Sequence, residues 1–370
     1  MSKSADDYRY MADALRLARR GLYTTDPNPS VGCVIVSAEG RVVGEGWHER
    51  AGQLHAEPLA LEIAGADAKG ATAYVTLEPC SHHGSTPPCA DQLIAAGVVR
   101  VVFAIEDPNP IVSGAGKQRL LDAEIEVIAG VLEHEAQELN LGYMQRMRIG
   151  RPWVRSKLAV SIDGKTALSN GESKWITGED ARADVHRWRA RSSAVLTGSG
   201  TVVADDPSLN ARPKDVTDFV QPVRVVLDSR LRTPPNAKLF ASDSPVLICH
   251  CSDDNARIDA LLAVGAELLE VPSHGPGELA LDSALEKLAE QGMNDVLVEA
   301  GALLNGGLLN DNLIDELIVY QSGCVLGEQA HGMYGLEVLT DMANRPEFEL
   351  HDLRRIGDDV RMIWRPKVTG

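Results

Sequence analysis

The segment His55-Ala-Glu57-Pro-Leu-Ala-Leu-Glu-Ile-Ala64 precedes Pro79-Cys80 and Cys89, and these residues together indicate how the first half of the chain folds. One imidazole and two thiolates are three ligands of the kind that catalytic zinc uses, and the fourth position then holds a water with a pKa of roughly 7. Glu57 is a carboxylate that the metal does not need, so it is free to move protons. We predict His55, Cys80 and Cys89 as the metal ligands for Zn2+ and Glu57 as a catalytic residue.

The sequence around these residues predicts the local structure that would bring them together. An apolar run from Leu59 to Ala64 indicates a buried helix that begins near His55. Residues 73–77 form a short apolar strand that ends just before Cys80. Pro87 and Pro88 are typical of a helix start, and a helix N-terminus favours the thiolate form of Cys89.

A closed structural zinc site is the main alternative to a catalytic one. His82 or His83 could provide a fourth ligand, and the cysteines could also be buried without metal. A closed site has no use for the additional carboxylate of Glu57. The sequence therefore favours hydrolytic chemistry, of the type in which a zinc deaminase replaces an amino group with water.

The spacing of the cysteines indicates which family of zinc deaminases the sequence resembles. Deaminases of nucleosides and nucleic acids carry P-C-x-x-C, whereas residues 81–88 separate Cys80 from Cys89. This long loop, with Thr76-Leu-Glu-Pro79 and Pro27-Asn28-Pro-Ser-Val-Gly32, resembles the pyrimidine deaminase of bacterial riboflavin biosynthesis over residues 6–147. The resemblance implies that Asn28 hydrogen-bonds the pyrimidine ring.

Two departures from that family affect the substrate site. The family commonly has H-A-E-V-H-A where this chain has His55-Ala-Glu-Pro-Leu-Ala60, so the second histidine is absent. The family usually has a basic residue in the inter-cysteine loop at the position of Ser85. This leaves His48 and His82 as the nearest candidates for a contact with the substrate phosphate.

Composition excludes several classes of protein. The chain has 370 residues, 44% of them hydrophobic, and a formal net charge of −17. The charge argues against nucleic-acid binding, and we expect no membrane span because no apolar stretch reaches about 20 residues. The polar N-terminus lacks a signal sequence and the six cysteines are scattered, so we expect a cytoplasmic enzyme without disulfides.

The pattern of elements indicates two α/β domains. In the first half, predicted helices at 6–22, 88–96 and around Leu132 to Met144 alternate with strands at 31–36, 41–46, 73–77 and 98–105. After the short connection Gly150-Arg-Pro152, strands are expected at 153–160, 194–197, 223–227, 246–249 and 296–299, with a helix at 179–191. We predict domains at residues 1–148 and 149–370.

Three segments in the second half carry polar groups at or just beyond strand ends, where open α/β sheets bind ligands. They are Lys157-Leu-Ala-Val-Ser-Ile-Asp-Gly-Lys165, Ser173-Lys-Trp-Ile-Thr-Gly178 and Thr197-Gly-Ser-Gly-Thr-Val-Val-Ala-Asp-Asp-Pro-Ser-Leu209. Their order resembles the reductase domain of riboflavin biosynthesis over residues 150–367, and no G-x-G-x-x-G is present. The implied fold class is a cytidine-deaminase-like α/β/α layered domain followed by a dihydrofolate-reductase-like α/β domain.

The second resemblance also implies site residues. Lys157, Asp205 and Glu299 would surround the reacting centre, with Asp205 handling the proton that accompanies reduction. The substrate and its ribose phosphate would be held by Ser173, Arg189, Leu209, Arg212 and Glu299. The NADPH site would comprise Ala159, Trp175, Thr177, Gly198, Thr201, Ser229 and Gly301. Ser229 and Arg230 follow a strand and are candidates for contact with a 2′-phosphate.

The combined prediction is a bifunctional enzyme that binds a small phosphorylated pyrimidine. It would remove the 2-amino group of 2,5-diamino-6-(5-phosphoribosylamino)pyrimidin-4(3H)-one and then reduce the ribosyl group of the product to ribityl with NADPH. We expect a homo-oligomer, a dimer or tetramer as in the family. The alternatives are a nucleoside or nucleic-acid deaminase with an appended domain, and a reductase with a non-catalytic zinc domain.

Overall fold

The computed structural model describes residues 3–81, 87–109, 113–242, 244–275, 277–336 and 338–367. The chain forms two compact units, residues 1–150 and 151–370. Within the described ranges, no helix combines the length and the apolar character needed to cross a membrane.

The first unit is built around a five-stranded sheet of order β2-β1-β3-β4-β5. Strand β1 runs antiparallel to β2 and β3, whereas β3, β4 and β5 are parallel. The strands are β1 (Gly32–Val36), β2 (Val42–Trp47), β3 (Thr72–Leu77), β4 (Arg100–Ile105) and β5 (Glu126–Ala129). The helices are α1 (Ala5–Ala18), α2 (Ala56–Ala64), α3 (Cys89–Ala95), α4 (Ala115–Asp122), α5 (Glu133–Leu139) and α6 (Leu141–Ile149).

Glycines in the strands let two helices lie very close to the sheet. A Cβ on Gly32 would lie 2.0 Å from the Ala14 carbonyl oxygen of α1, and one on Gly46 would lie 2.4 Å from the Ala56 carbonyl oxygen of α2. Gly46 is the cross-strand partner of Cys33, the residue after Gly32, and successive residues of a strand face opposite sides of the sheet. Helices α1 and α2 therefore cover opposite faces, which is the layered α/β/α arrangement.

The predicted helix around Leu132 to Met144 is two helices, because the chain breaks at Asn140. The Asn140 side chain accepts the Ser30 backbone N–H at 2.8 Å and donates to the Ser30 carbonyl at 3.0 Å. Asn140 is only 6% exposed. This buried pair of bonds satisfies the Ser30 backbone and competes with a continuous helix.

The second unit contains a nine-stranded sheet of order β11-β10-β9-β8-β14-β6-β15-β18-β17. Its strands are β6 (Trp153–Val160), β8 (Ala194–Gly198), β9 (Val223–Leu227), β10 (Val246–His250), β11 (Glu267–Glu270), β14 (Asp295–Val298), β15 (Glu316–Gln321), β17 (Phe348–Ile356) and β18 (Asp359–Pro366). Short pairs are β7 (Lys165–Ala167) with β16 (His331–Gly332), and β12 (Ser273–Gly275) with β13 (Glu278–Leu279). The helices are α7 (Glu179–Ala190), α8 (Ser199–Asp205), α9 (Asn255–Ala263), α10 (Leu281–Glu290) and α11 (Ala302–Asn310).

The direction of the strands decides where the second site can form. The seven strands from β11 to β15 are parallel to their neighbours, and only β18 and β17 add in antiparallel fashion. The carboxyl ends of β8, β9 and β14 consequently lie side by side. Gly198, Asp228 and Glu299 lie at these strand ends, where ligands bind in open α/β sheets.

Candidate active sites

Three elements of the first unit bring the predicted zinc ligands together. His55 caps the N-terminus of α2, Cys80 follows β3, and Cys89 is the first residue of α3. His55 Nδ1 lies 3.3 Å from Cys89 Sγ and 3.8 Å from Cys80 Sγ, and the three atoms lie within 4.8 Å of one another. Tetrahedral zinc bonded to one nitrogen and two sulfurs requires N–S separations of about 3.6 Å. The donor set therefore fits zinc.

Backbone geometry supports the same arrangement. The Cys89 N–H donates to Cys80 Sγ at 3.3 Å. Hydrogen bonds with Cys89 and His55 lower the pKa of Cys80. A lowered pKa favours the thiolate, which is the form that binds a metal.

Glu57 lies in the first turn of α2 and is 3% exposed. Its Oε2 atom is buried and has no hydrogen-bond partner among the described residues. Burial raises the pKa of this carboxyl group. A buried carboxylate oxygen without a partner is costly, so its position beside a metal-binding cluster is best explained by a bound group that it serves.

Asn28 and His48 form a hydrogen-bonded pair close to the zinc ligands. Asn28 Nδ2 lies 3.1 Å from His48 Nε2, and His48 Nδ1 lies 2.9 Å from the Leu54 carbonyl oxygen. The carbonyl can only accept, so His48 Nδ1 carries the proton and Nε2 accepts from Asn28. The His48 ring is 5.5 Å from the His55 ring, and burial lowers the pKa of His48. A neutral, fully bonded ring is suited to orienting Asn28.

The second candidate for the contact with the substrate phosphate is His82. His82 and Ser85 lie outside the described residues, so that contact remains a prediction.

Glu78 and Asp107, which no sequence motif singled out, organise the loops beside Cys80. Buried Glu78 accepts backbone N–H groups from Asp107, Gly114 and Lys117 at 3.2, 3.0 and 2.9 Å. Asp107, also buried, accepts from the Tyr143 hydroxyl at 3.0 Å. The sequence contains one sign that Asp107 lies near the site: the tetrapeptide Asp107-Pro-Asn-Pro110 repeats Asp26-Pro-Asn-Pro29, which contains Asn28.

In the second unit, one cavity of about 1520 Å³ brings together the site residues predicted there except Arg230, which is outside the lining and lies against Gly277. The segments after β6, β8, β9 and β14 contribute to it, together with α7 and the loop that follows α8. The predicted residues in its lining are Lys157, Ala159, Ser173, Trp175, Thr177, Arg189, Gly198, Thr201, Asp205, Leu209, Arg212, Ser229, Glu299 and Gly301. The cavity is large enough for a dinucleotide and a second small ligand, since sites for one drug-sized ligand are about 300–1,000 Å³.

Glu299, Arg189 and Lys157 form a partly buried charge cluster in the cavity wall. Arg189 binds Glu299 with two hydrogen bonds, at 2.5 and 3.0 Å, and Lys157 Nζ lies 3.7 Å from the same carboxylate. Burial alone would raise the pKa of Glu299, but Arg189 and Lys157 outweigh it and hold this pKa at about 2. Burial lowers the pKa of Lys157. The cluster therefore presents an ionised carboxylate whose orientation is fixed on both sides.

Asp205 and Asp206 are adjacent, but among the described residues only the Asp206 carboxylate has bonding partners. Asp206 accepts the Lys238 backbone N–H at 2.7 Å and pairs with Lys238 Nζ at 3.3 Å. Asp205, the last residue of α8, is exposed at the cavity wall, and the described residues give its carboxylate no hydrogen-bond or ion-pair partner. Asp205 is thus the carboxylate of the pair that is available to a ligand.

Two arginines of α7 differ in whether they reach the cavity. Arg187 pairs with Asp215 at 2.7 Å and lies outside the cavity lining, whereas Arg189 faces the cavity and is bound to Glu299. Arg212 is exposed at the cavity and donates to the Asn210 side chain at 2.7 Å. His186, which the sequence analysis did not select, lines the cavity and accepts the Arg212 backbone N–H at 3.2 Å.

Trp175 is not part of the core. Its side chain is 71% exposed, lines the cavity, and packs against the Arg182 guanidinium, whose central carbon is 4.5 Å from the ring centre. Gly301 caps the N-terminus of α11. An exposed aromatic face and a helix end with free N–H groups are both suited to a nucleotide ligand.

Two family models match the chain. Residues 4–105 match the cytidine and deoxycytidylate deaminase zinc-binding region, and residues 152–362 match the RibD C-terminal domain. The first match contains all three predicted zinc ligands and Glu57.

Close relatives match along nearly the whole chain. The riboflavin biosynthesis protein RibD of Haemophilus influenzae is 48% identical over 98% of both chains, and that of Escherichia coli is 47% identical over 96% of this chain and 98% of its own. A solved structure of Acinetobacter baumannii RibD matches with a TM-score of 0.90 and 45% identity over 98% of this chain and 99% of its own. A Thermotoga maritima diaminohydroxyphosphoribosylaminopyrimidine deaminase/5-amino-6-(5-phosphoribosylamino)uracil reductase matches with a TM-score of 0.85 and 35% identity over the same shares.

The zinc site can be tested by metal analysis. Replacing Cys80 with Ala removes one thiolate, and we expect bound zinc to fall from about one ion per chain to a small fraction, since a catalytic site has only three protein ligands. Elemental analysis of purified protein measures this. Cys251→Ala, in the second unit, is the control and should retain the metal; equal zinc content in both variants would contradict the assignment.

Proposed function

Since this chain belongs to the RibD family and is a bifunctional deaminase and reductase of riboflavin biosynthesis, we propose which substrates it takes and which residues act on them. Residues 1–148 would remove the 2-amino group of 2,5-diamino-6-(5-phosphoribosylamino)pyrimidin-4(3H)-one. Residues 149–370 would reduce the ribosyl group of the deaminated product to ribityl with NADPH. The names of the T. maritima enzyme support these substrates.

The deaminase assignment rests on Glu57. His55, Cys80 and Cys89 would hold a zinc ion, which would supply Lewis acidity and lower the pKa of a water there to roughly 7. Glu57 takes the proton of the attacking water and passes it to the 2-amino nitrogen, which leaves as ammonia. The observation that carries this role is the buried Oε2 atom, which has no partner among the described residues.

Asn28 is proposed to bind the pyrimidine, and His48 to hold Asn28 in place. The Asn28 Nδ2 group donates to His48, so the carboxamide oxygen of Asn28 is the atom that would accept a hydrogen bond from a ring N–H of the pyrimidine. His48 was one of two candidates for the phosphate contact; its bonds to Asn28 and Leu54 favour a positioning role instead. His82 remains the proposed phosphate contact in this domain.

In the reductase, substrate and cofactor would occupy different parts of the large cavity. NADPH, when bound, is the source of reducing equivalents. Lys157, Asp205 and Glu299 surround the reacting carbon, and Asp205 holds or moves the accompanying proton. Ser173, Leu209 and the cations Arg189 and Arg212 hold the substrate's ribose phosphate. The cofactor is assigned to Ala159, Trp175, Thr177, Gly198, Thr201, Ser229 and Gly301.

Arg212 is the better placed of the two substrate cations. Arg189 already gives most of its guanidinium to Glu299 and the Asn210 carbonyl oxygen. Arg212 is exposed at the cavity and bonds only a side-chain amide among the described residues, so its charge is available to a phosphate.

We propose further that the enzyme is a cytoplasmic homo-oligomer, a dimer or a tetramer. Strand β17 supports this, because it forms an edge of the large sheet with Leu350 and Leu353 at 48% and 58% exposure. Sedimentation velocity of the full chain should give a mass of at least twice the 39.8 kDa of one chain. A single species at the monomer mass would contradict the oligomer.

Glu57→Gln tests the deaminase. The amide keeps the shape but cannot accept the water's proton, so the rate of ammonia release should fall roughly 10²- to 10⁴-fold. Bound zinc and the reduction of supplied deaminated product should stay normal. Near-normal ammonia release would refute the role of Glu57 and leave the zinc domain without its proposed chemistry.

Asp205→Asn tests the reductase. Loss of the exposed carboxylate should reduce the rate of NADPH oxidation with deaminated product by about 10²-fold or more, because proton transfer is lost. Ammonia release from the diamino substrate should be unchanged. Asp206→Asn is the matched control, since that carboxylate is bonded to Lys238; equal loss of both activities in Asp205→Asn would argue against two separate sites.

A further inference from the structure

Glu78 is a buried carboxylate that takes no part in the proposed deamination. Its side chain is 2% exposed, and the described residues give it no cation. Its Oε1 atom accepts the Lys117 backbone N–H at 2.9 Å, and its Oε2 atom accepts those of Asp107 at 3.2 Å and Gly114 at 3.0 Å. Burying a charge is costly unless hydrogen bonds compensate for it. Three donors that converge on one carboxylate therefore hold this group in a fixed position.

Glu78 caps a helix that has no cap of its own. The residue before α4 is Gly114, which has no side chain to bond the free N–H groups of the first helical turn. Lys117 is the third residue of α4, so its N–H is one of these groups. A negative charge at this end of the helix is also favourable for the helix dipole. Helix α4 is thus attached to Glu78 through its own backbone.

The residue that follows Glu78 contacts the same helix. Gly116 is buried in the first turn of α4, and a Cβ there would lie only 1.9 Å from the Pro79 carbonyl oxygen. The close approach is possible because glycine has no side chain. The Pro79 carbonyl belongs to the peptide group that links Pro79 to Cys80. The first turn of α4 therefore fixes the peptide that leads into a predicted zinc ligand.

Cys80 is thus positioned from two sides. On the side of α3, the Ala90 N–H donates to the Cys80 carbonyl at 3.1 Å, and the Cys89 N–H donates to the Cys80 sulfur at 3.3 Å. On the side of α4, the two preceding residues are held as described. The Glu78 backbone also donates to the Ile105 carbonyl at 2.9 Å, next to the end of β4. Glu78 consequently connects the sheet, α4 and the peptide before Cys80.

We propose that Glu78 is a positioning residue for the zinc site. By anchoring the first turn of α4, it fixes the Pro79–Cys80 peptide and so the place of the Cys80 sulfur relative to the other two zinc ligands. This inference rests on the proposed deaminase function, which requires zinc at His55, Cys80 and Cys89. Groups that orient the ligands of a metal contribute to its affinity, and the loss of one weakens binding roughly 10- to 100-fold.

The zinc affinity of the full chain, measured by competition with a chromophoric chelator, tests the proposal without an activity assay. Glu78→Ala removes all three hydrogen bonds and should weaken zinc binding roughly 10- to 100-fold. Glu78→Gln should lie between this variant and the wild type, because its amide oxygen can still accept but its amide nitrogen cannot. Reduction of supplied deaminated product should be unchanged in both variants, since it takes place in the second unit.

Gly116→Ala tests the same contact from the side of the helix. Alanine favours a helix more than glycine does, so α4 itself should gain stability, whereas the added Cβ displaces the Pro79 carbonyl. We expect zinc binding to weaken although circular dichroism shows the helices intact. If Glu78 served only to stabilise α4, Gly116→Ala would keep the wild-type zinc affinity.

Ser4→Ala is the matched control, because it removes the cap of α1 in the same unit. The Ser4 hydroxyl accepts the Asp7 backbone N–H at 3.2 Å. Its loss should lower the melting temperature without changing the zinc affinity. Cobalt(II) in place of zinc reports the ligand geometry through its visible absorption, which should change in Glu78→Gln and Gly116→Ala but not in Ser4→Ala.

The proposal is overturned if Glu78→Ala or Gly116→Ala binds zinc as tightly as the wild type, or if their cobalt spectra are those of the wild type. It is also overturned if Ser4→Ala loses as much zinc affinity as they do, since the effect would then be one of general stability. A wild type that binds no zinc would instead refute the proposed deaminase site itself.

Discussion

Burying a carboxylate away from water is costly unless cations or hydrogen-bond donors compensate for it, and both sites of this chain depend on how that cost is met. Glu299 is compensated within the protein, by two bonds from Arg189 and by Lys157. Glu57 is only partly compensated, because one oxygen has no partner among the described residues. The first arrangement fixes an ionised group in place, whereas the second leaves a group ready to exchange a proton.

Rigid backbone features hold these groups in position. The close approach of α2 to Gly46 fixes the helix end that carries His55 and Glu57. In the second unit, the parallel strands place Gly198, Asp228 and Glu299 at the same end of the sheet. Glu57, Lys157 and Arg189 each lie in a helix or strand, so their positions are set by the packing of those elements, as preorganised catalysis requires.

Much of this could be predicted from the sequence because it depends on local chemistry. The zinc ligands and Glu57 follow from residue type and spacing, and strand β4 follows from the apolar run of residues 101–105. What was missed depends on distant contacts. The break at Asn140 is set by Ser30, far away in the chain.

One chain is proposed to perform deamination and then reduction. The most direct test is to incubate the zinc-loaded protein with 2,5-diamino-6-(5-phosphoribosylamino)pyrimidin-4(3H)-one and NADPH, and to follow ammonia and NADPH in the same sample. We predict that ammonia appears first and that NADPH oxidation follows after a lag. Loss of NADPH without ammonia, or neither signal from folded protein, would contradict the account.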